Sequence, residues 1–247
     1  MGAFDWFWKA MGSTSERNNK KSKGVVAAAQ GLIEELSLLD DAALASTVRS
    51  TVAGGEIADK ARFLAGLSVA SQRTLGMTPF EVQNQAVLRL LEGDVIQMAT
   101  GEGKTLVGAM AATGYALTGK RVHVITVNNY LAGRDAEWMR PLVEFFGLTV
   151  APVTESSTRA ERVAAYACDV IYAPVTEIGF DHLRDNQITH RSQTVQLDAD
   201  VALVDEADSV LVDEALVPLV LAGSEGTKQA TGQITAAVSQ PVSYTHL

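Results

Sequence analysis

The sequence predicts an α/β fold in which helices precede a mostly parallel sheet. Apolar residues recur at three- and four-residue spacing from about residue 25 to 75, and after Pro79 short β-branched runs alternate with helical stretches. The first pattern is typical of amphipathic helices, and the second of βαβ units whose strands share one helix-covered sheet. With 247 residues, 47% hydrophobic and 20% charged, the chain can bury one substantial core or two modest ones.

Residues 1–24 form an N-terminal aromatic and basic segment. Its aromatic side chains are Phe4, Trp6, Phe7 and Trp8, and its basic ones are Arg17, Lys20, Lys21 and Lys23. An aromatic wedge followed by cations can lie on an anionic membrane surface. A docked helix with a solvated basic linker explains the same residues equally well, so both interpretations stay open.

The remaining elements follow in chain order. Residues 25–77 are predicted to be a helical region interrupted at Gly54 and Gly55. From residue 78 to 223, five runs are predicted to be strands: DVIQM, RVHVITV, LTVAPV, CDVIYAPV and DVALVDEA. Residues 224–247 are mostly small and polar and end in PVSYTHL.

Composition limits the function classes. The net charge of −9 and the pI of about 4.9 argue against a general nucleic-acid binder, which usually carries a basic stripe. No apolar run reaches the roughly 18–20 residues of a membrane-spanning helix, and the N-terminus lacks the pattern of a signal peptide. The single cysteine, Cys168, excludes an intramolecular disulfide and suits a reducing compartment. We therefore expect a cytosolic protein.

The stretch DVIQMATGEGKTLVGAM, residues 94–110, has the order strand, loop and helix that a phosphate-binding loop requires. Backbone N–H groups of such a loop cradle phosphates at the helix N-terminus. Lys104 is predicted to reach the β and γ phosphates, and the Thr105 hydroxyl to ligate Mg²⁺. Met98 stands where the GxxxxGKS/T pattern has its first glycine, so this loop alone leaves a chance match open.

A second motif follows about a hundred residues later. The apolar run VALV leads into Asp205 and Glu206, which are predicted to hold Mg²⁺ through water and to polarise the attacking water. Two acids after a strand are often only the entrance to a loop, but the two motifs in this order predict an ATPase. Upstream, Gln83 can pair with an adenine edge and Phe80 can stack nearby, although a helical glutamine is ordinarily a surface residue.

Longer stretches show which ATPases the chain resembles. The A-x-T-G-x-G-K-T loop and D-E-A-D resemble the helicase-like motors, in which alanine or methionine often replaces the first glycine. Stretches 122–150, 178–186 and 202–223 are not shared with helicases and are similar to the first nucleotide-binding domain of SecA, the ATPase that pushes preproteins through the SecY channel. The N-terminal FWKAMGSTSERNNKKS, together with Leu216 and Val217, resembles the accessory SecA of actinobacteria.

The resemblance implies a RecA-like P-loop motor core over 78–223 and the start of a truncated preprotein-binding domain at 224–247. It implies ATP and Mg²⁺ as cofactors. The nucleotide-binding residues it implies are Phe80, Gln83, Gly101, Glu102, Gly103, Lys104, Thr105 and Arg134. Thr105 and Asp205 would serve Mg²⁺, and Glu206 would be the catalytic carboxylate. Asn129 departs from the usual aspartate of the family, which is expected to trim a local hydrogen-bond network.

The partners implied are the SecY channel complex, preprotein substrates and an anionic membrane surface, with no specific nucleic acid; homodimerisation stays open. The implied location is the cytoplasm and the cytoplasmic face of the plasma membrane. In the family a second RecA-like domain supplies arginine fingers, and this chain ends soon after Gly223. We therefore expect weak ATP binding and no hydrolysis coupled to transport, since the transition-state charge lacks its arginines.

The final PVSYTHL does not resemble the expected continuation, so we also expect a truncated or wrongly assembled reading frame. Two alternatives stay open. One is a superfamily 2 RNA or DNA helicase, for which a P-T-R-E-L-type stretch is expected where TVNNYLAGRDAE stands. The other is a non-catalytic nucleotide-binding fragment.

Overall fold

The computed structural model describes residues 14–213 and 215–220. The helices are α1 (Thr14–Ser37), α2 (Asp41–Ser50), α3 (Lys60–Leu75), α4 (Glu81–Leu91), α5 (Lys104–Leu117), α6 (Asn129–Phe145), α7 (Arg159–Tyr166) and α8 (Val175–Asp185). The strands are β1 (Val52–Ala53), β2 (Glu56–Ile57), β3 (Val122–Thr126), β4 (Val150–Pro152), β5 (Val170–Pro174) and β6 (Val201–Val204). A 3₁₀ turn spans Arg191–Gln193, and a π-helical turn spans Ser209–Asp213.

The main sheet is parallel and has the strand order β4-β5-β3-β6. Val124 of β3 pairs with Tyr172 of β5 on one side and with Leu203 of β6 on the other. Helices α6, α7 and α8 lie in the connections between successive strands, as parallel pairing requires. The predicted fold class, an α/β domain with a mostly parallel sheet after N-terminal helices, is confirmed.

The helical region before the sheet extends further than predicted. Helix α1 begins at Thr14 and runs through residue 24, because residues 14–23 contain neither glycine nor proline to interrupt it. The interruption predicted at Gly54 and Gly55 is confirmed, since both have positive φ in the turn between β1 and β2. The aromatic cluster from Phe4 to Trp8 and residues 224–247 lie outside the described residues. Among the described helices, none is long and apolar enough to cross a membrane.

Three clusters of buried side chains hold these layers together. The largest joins the N-terminal helices to α5 and α6, with Phe63, Leu67 and Met110 completely buried. A second lies on the sheet face that α5 and α6 cover, and it includes Val124 and Tyr172. The third lies on the opposite face under α7 and α8. The helix that follows the predicted phosphate loop is therefore fixed to both the helical region and the sheet.

The prediction that DVIQM forms a strand is wrong. Residues 94–98 are not part of any strand pairing in the described chain, and Val95 is 95% exposed. A cavity of about 890 Å³, lined by Ile96, Met98 and Leu203, lies beside them. A strand needs a second backbone within about 4.8 Å, and the composition of one segment does not provide it. The other four predicted strands are confirmed in shortened form.

A buried ionic network fastens α7 to α8 beneath the sheet. The Arg162 guanidinium donates to Glu177 Oε2 at 2.6 Å and to Asp181 Oδ2 at 2.7 Å, and the Tyr166 hydroxyl donates to the same Asp181 oxygen at 3.0 Å. Burial alone would lower the pKa of Arg162, but hydrogen bonds to the two carboxylates raise it above its ordinary value. Each buried charge here has a partner, as the cost of burying it demands.

Replacing Arg162 by methionine leaves the buried Glu177 carboxylate without its cation and leaves Asp181 with only the half-exposed Arg184. We expect Arg162→Met to lower the free energy of unfolding by about 3–5 kcal/mol, measured by urea denaturation of the 247-residue chain. Arg62→Ala is the control: Arg62 forms ion pairs with Glu35 and Asp59 that are largely exposed, so its loss should cost about 1 kcal/mol or less. Equal effects of the two substitutions would contradict this account of the network.

Candidate functional site

The loop before α5 makes two turns that favour glycine. Gly101 and Gly103 have φ angles of +86° and +76°, and Gly103 caps the N-terminus of α5. Lys104 begins the helix, and its Nζ donates to the Met98 carbonyl at 3.4 Å. A turned glycine loop at a helix N-terminus presents backbone N–H groups to an anion. The two left-handed glycines and the helix N-terminus fit a phosphate loop that lacks the first glycine of the pattern, and phosphate binding stays a prediction.

Gln83 is bonded to this loop. Its Nε2 donates to the Glu102 carbonyl at 2.9 Å, and its Oε1 accepts from the Phe80 backbone N–H at 2.8 Å. The Glu102 carboxylate in turn accepts from the Ala99 N–H at 2.8 Å. Gln83 is buried, whereas the Phe80 side chain is largely exposed beside it. The structure thus brings Gln83 to the loop and bonds Phe80 to Gln83, and the contact of both residues with adenine stays a prediction.

The two predicted acids follow β6 directly. The Asp205 N–H donates to the Ile125 carbonyl at 2.9 Å, which continues the β3–β6 pairing one residue further. Glu206 has a φ of +53° and is the only non-glycine residue with positive φ in the described ranges. That conformation costs about 1–2 kcal/mol for an L-residue, and strained residues of this kind cluster at functional sites.

One cavity collects four of the predicted site residues. Its volume is about 890 Å³, and its lining includes Lys104, Thr105, Asp205 and Glu206. The side chains come from two segments that are a hundred residues apart in sequence. Parallel pairing of β6 with β3 brings the second segment to the end of the sheet where the loop lies.

Arg134 forms an ion pair with the acid that follows it in the sequence. Its Nε donates to Asp135 Oδ1 at 2.7 Å, and its guanidinium lies 5.8 Å from the centre of the Tyr130 ring. Asp135 is buried and lines the same cavity. Burial raises the pKa of Asp135, Arg134 opposes that shift, and Asp205 adds to it. The role of Arg134 near a nucleotide stays a prediction.

Sequence reasoning missed two residues of this cavity, Asp135 and Tyr172. Both are buried polar residues, and both line the space next to Asp205. The sequence offered one signal, the acid that directly follows Arg134 in GRDAE. Tyr172 lies within the apolar run VIYAP, which reads only as a buried strand.

Asn129 keeps a hydrogen bond in place of the usual aspartate. Its Oδ1 accepts from the Glu155 N–H at 2.9 Å, and the neighbouring Asn128 caps α6 by accepting from the Leu131 N–H at 2.9 Å. An amide oxygen can accept this bond as a carboxylate would, but without the charge. The effect on the wider network stays a prediction.

These features define the class of the domain: a parallel α/β fold of the RecA type with a glycine-rich loop at a helix N-terminus and two acids after a neighbouring strand. A model of the SecA DEAD-like domain matches residues 7–245. The chain therefore belongs to the SecA family, and the domain is a DEAD-like nucleotide-binding domain.

Curated relatives carry the same family name. The chain is 62% identical, over 96% of its length, to protein translocase subunit SecA 2 of Corynebacterium glutamicum strain R. It is 60% identical over 96% to SecA 2 of Corynebacterium efficiens and 52% identical over 95% to SecA 2 of Mycolicibacterium smegmatis. The resemblance to the accessory actinobacterial SecA is confirmed. The chain spans about a third of the length of these relatives, 31%, 31% and 30%.

Gly103 provides a direct test of the loop geometry. A Cβ added there would lie 2.4 Å from Gln83 Nε2, at a φ of +76°. We expect Gly103→Ala to weaken ADP binding about tenfold or more, since left-handed backbone alone costs about 1–2 kcal/mol for alanine. Isothermal titration of the 247-residue chain with ADP measures the effect.

The control is Gly31→Ala, on the exposed face of α1, where an added Cβ meets nothing within 4 Å. This change should favour the helix by up to about 1 kcal/mol and leave ADP affinity unchanged. If Gly103→Ala bound ADP as tightly as Gly31→Ala, the loop would not be the phosphate site.

Proposed function

We propose that this chain is the nucleotide-binding domain of a motor that couples ATP binding and hydrolysis to preprotein translocation. The observation that carries the proposal is the single cavity lined by Lys104, Thr105, Asp205 and Glu206. These are the residue types that ATP hydrolysis requires: a cation for the phosphates, oxygen ligands for Mg²⁺ and a carboxylate for water. Membership of the SecA family supports the same activity.

The residues also fit Mg²⁺ by their chemistry. Mg²⁺ prefers oxygen ligands and is commonly bound by one or two carboxylates together with substrate phosphates. Thr105 and Asp205 offer a hydroxyl and a carboxylate at one cavity and would hold the ion. When bound, Mg²⁺ supplies charge neutralisation for the phosphates.

The chain's own groups divide the remaining work. The turned backbone of Gly101 and Gly103 binds phosphate oxygens, and Lys104 adds a positive charge at the N-terminus of α5. Glu206 is exposed at the cavity and orients the attacking water, accepting its proton. Gln83 donates a hydrogen bond to the Glu102 carbonyl in the loop. Adenine binding to Gln83 would compete with this bond, so the loop would respond to adenine.

The wider role rests on the relatives, whose names describe protein translocase subunits. We extend that role to the protein of which this sequence is the nucleotide domain: it acts with the SecY channel complex on preproteins, at the cytoplasmic face of an anionic membrane. The alternative of a superfamily 2 helicase is disfavoured by the net charge of −9.

Two substitutions separate binding from hydrolysis. Lys104→Ala should lower ATP affinity of the 247-residue chain at least tenfold, because one charge-assisted contact with the phosphates is lost. Glu206→Gln keeps the shape of the side chain and should leave ATP affinity within about twofold while lowering hydrolysis about a hundredfold or more. Binding is measured by titration calorimetry on this chain. Loss of binding in Glu206→Gln but not in Lys104→Ala would reverse the assigned roles.

Turnover and coupling are tested in a chimera in which residues 25–220 replace the matching part of Corynebacterium glutamicum SecA 2. Its ATPase rate should rise with vesicles carrying the SecY channel complex and a preprotein, and not with RNA. Stimulation by RNA alone would favour the helicase. ATP binding without hydrolysis under any condition would identify a non-catalytic module. The Glu206→Gln chimera is the matched control for contaminating ATPases.

A further inference from the structure

The register of the sheet places Tyr172 and Asp205 on one face, and helix α6 brings Asp135 to the same face. Tyr172, Val124 and Leu203 are paired neighbours on β5, β3 and β6. Residues two positions apart on a strand share a face, so Asp205 follows Leu203 on the side that carries Tyr172. Helices α5 and α6 cover this face, and Asp135 of α6 is buried against it. Tyr172, Asp135 and Asp205 all line the same cavity.

The Tyr172 hydroxyl is the unexplained group in this arrangement. It is completely buried, and its oxygen has no hydrogen-bond partner among the described residues. An unpaired buried hydroxyl costs about 1–3 kcal/mol. Tyr172 lines a cavity that Asp135 and Asp205 also line, and both carboxylates, after burial itself, raise the pKa of Tyr172. The cavity that the three residues share offers room for a water between them.

Asp135 differs from Asp205 in having a fixed cation. Arg134 contacts the Asp135 carboxylate through both Nε and Nη2 at 2.7 Å. Asp135 can therefore stay ionised while it is buried, and its charge is already balanced. Asp135 can therefore accept a hydrogen bond beside Asp205. Because Arg134 already balances its charge, Asp135 is a poorer Mg²⁺ ligand than Asp205.

We propose that Tyr172, Asp135 and Asp205 share one buried water that positions the Asp205 carboxylate for Mg²⁺. The water accepts from the Tyr172 hydroxyl and donates one hydrogen to each carboxylate. Three hydrogen bonds are typical of a buried water, and this arrangement satisfies the unpaired hydroxyl and separates two like charges. Tyr172 and Asp135 are thus positioning residues that act through Asp205. This inference rests on the proposed function, because it assigns a task to the proposed Mg²⁺ ligand.

The test measures how ADP binding to the 247-residue chain depends on Mg²⁺. A fluorescent ADP analogue is titrated without Mg²⁺ and then at increasing Mg²⁺, for the wild type, Tyr172→Phe and Asp135→Asn. For each variant, the Mg²⁺ concentration that produces half of the full change in ADP affinity should be about fivefold higher than for the wild type, as expected for one lost hydrogen bond. Affinity without Mg²⁺ should change less than about twofold, a pattern that a general loss of structure would not produce. Because both substitutions disrupt the same water, their effects on the Mg²⁺ dependence should not add in the double variant.

Two control variants match these changes. Tyr166→Phe also removes a buried tyrosine hydroxyl, but on the α7 and α8 face, where it donates to Asp181 at 3.0 Å. Glu137→Gln removes a carboxylate charge from an exposed position of α6. Neither control should change the Mg²⁺ dependence.

The outcomes separate the two proposals. Suppose that ADP binding to the wild type depends on Mg²⁺ and that Tyr172→Phe and Asp135→Asn show the same Mg²⁺ dependence. This result would overturn the water-mediated positioning alone. A wild type whose ADP binding ignores Mg²⁺ would overturn the proposed function and this inference together. If Asp135→Asn failed to fold, as judged by its thermal melt, Tyr172→Phe alone would decide, because it removes only one oxygen atom.

Discussion

The parallel pairing of β6 with β3 is the constraint on which the site depends. It is short, from Val201 to Val204, and the bond from the Asp205 N–H to the Ile125 carbonyl extends it by one residue. That single step carries Asp205 and Glu206 to the cavity beside the phosphate loop. Without this pairing the two acids would follow an unpaired apolar segment, and no local interaction would keep them near Lys104.

The predicted phosphate loop is held from its other side by the helices that precede it. Gln83 of α4 bonds to the Glu102 carbonyl, and Gln30 of α1 donates to Glu81 of α4 at 2.9 Å. The large core that contains Phe63 and Met110 joins these helices to α5. The helical region therefore helps to fix the position of the loop, and α4 is connected to the loop directly through Gln83.

The buried polar groups on the two faces of the sheet differ in how they are paired. Beneath α7 and α8, Arg162 is saturated by two carboxylates, and such a network rigidifies what it joins. On the α5 and α6 face, Asp135 has its arginine while the Tyr172 hydroxyl is unpaired within the described chain. The Arg162 network serves as a scaffold between α7 and α8, whereas the unpaired Tyr172 hydroxyl lies on the face that borders the site. Glu206, with its strained backbone, adds to the same side.

Much of this protein was determined by local sequence. Periodicity predicted the helices and four of the six strands of the described chain. The GEGKT and DEAD stretches predicted Lys104, Thr105, Asp205 and Glu206 as site residues, because such signals depend on neighbouring residues alone. Tertiary structure decided what depends on distant partners. It left DVIQM without a strand to pair with, turned Arg134 toward Asp135, and brought Tyr172 into the cavity. The physical reason is that pairing, burial and unsatisfied hydrogen bonds are properties of two segments at once, and one segment's composition cannot specify them.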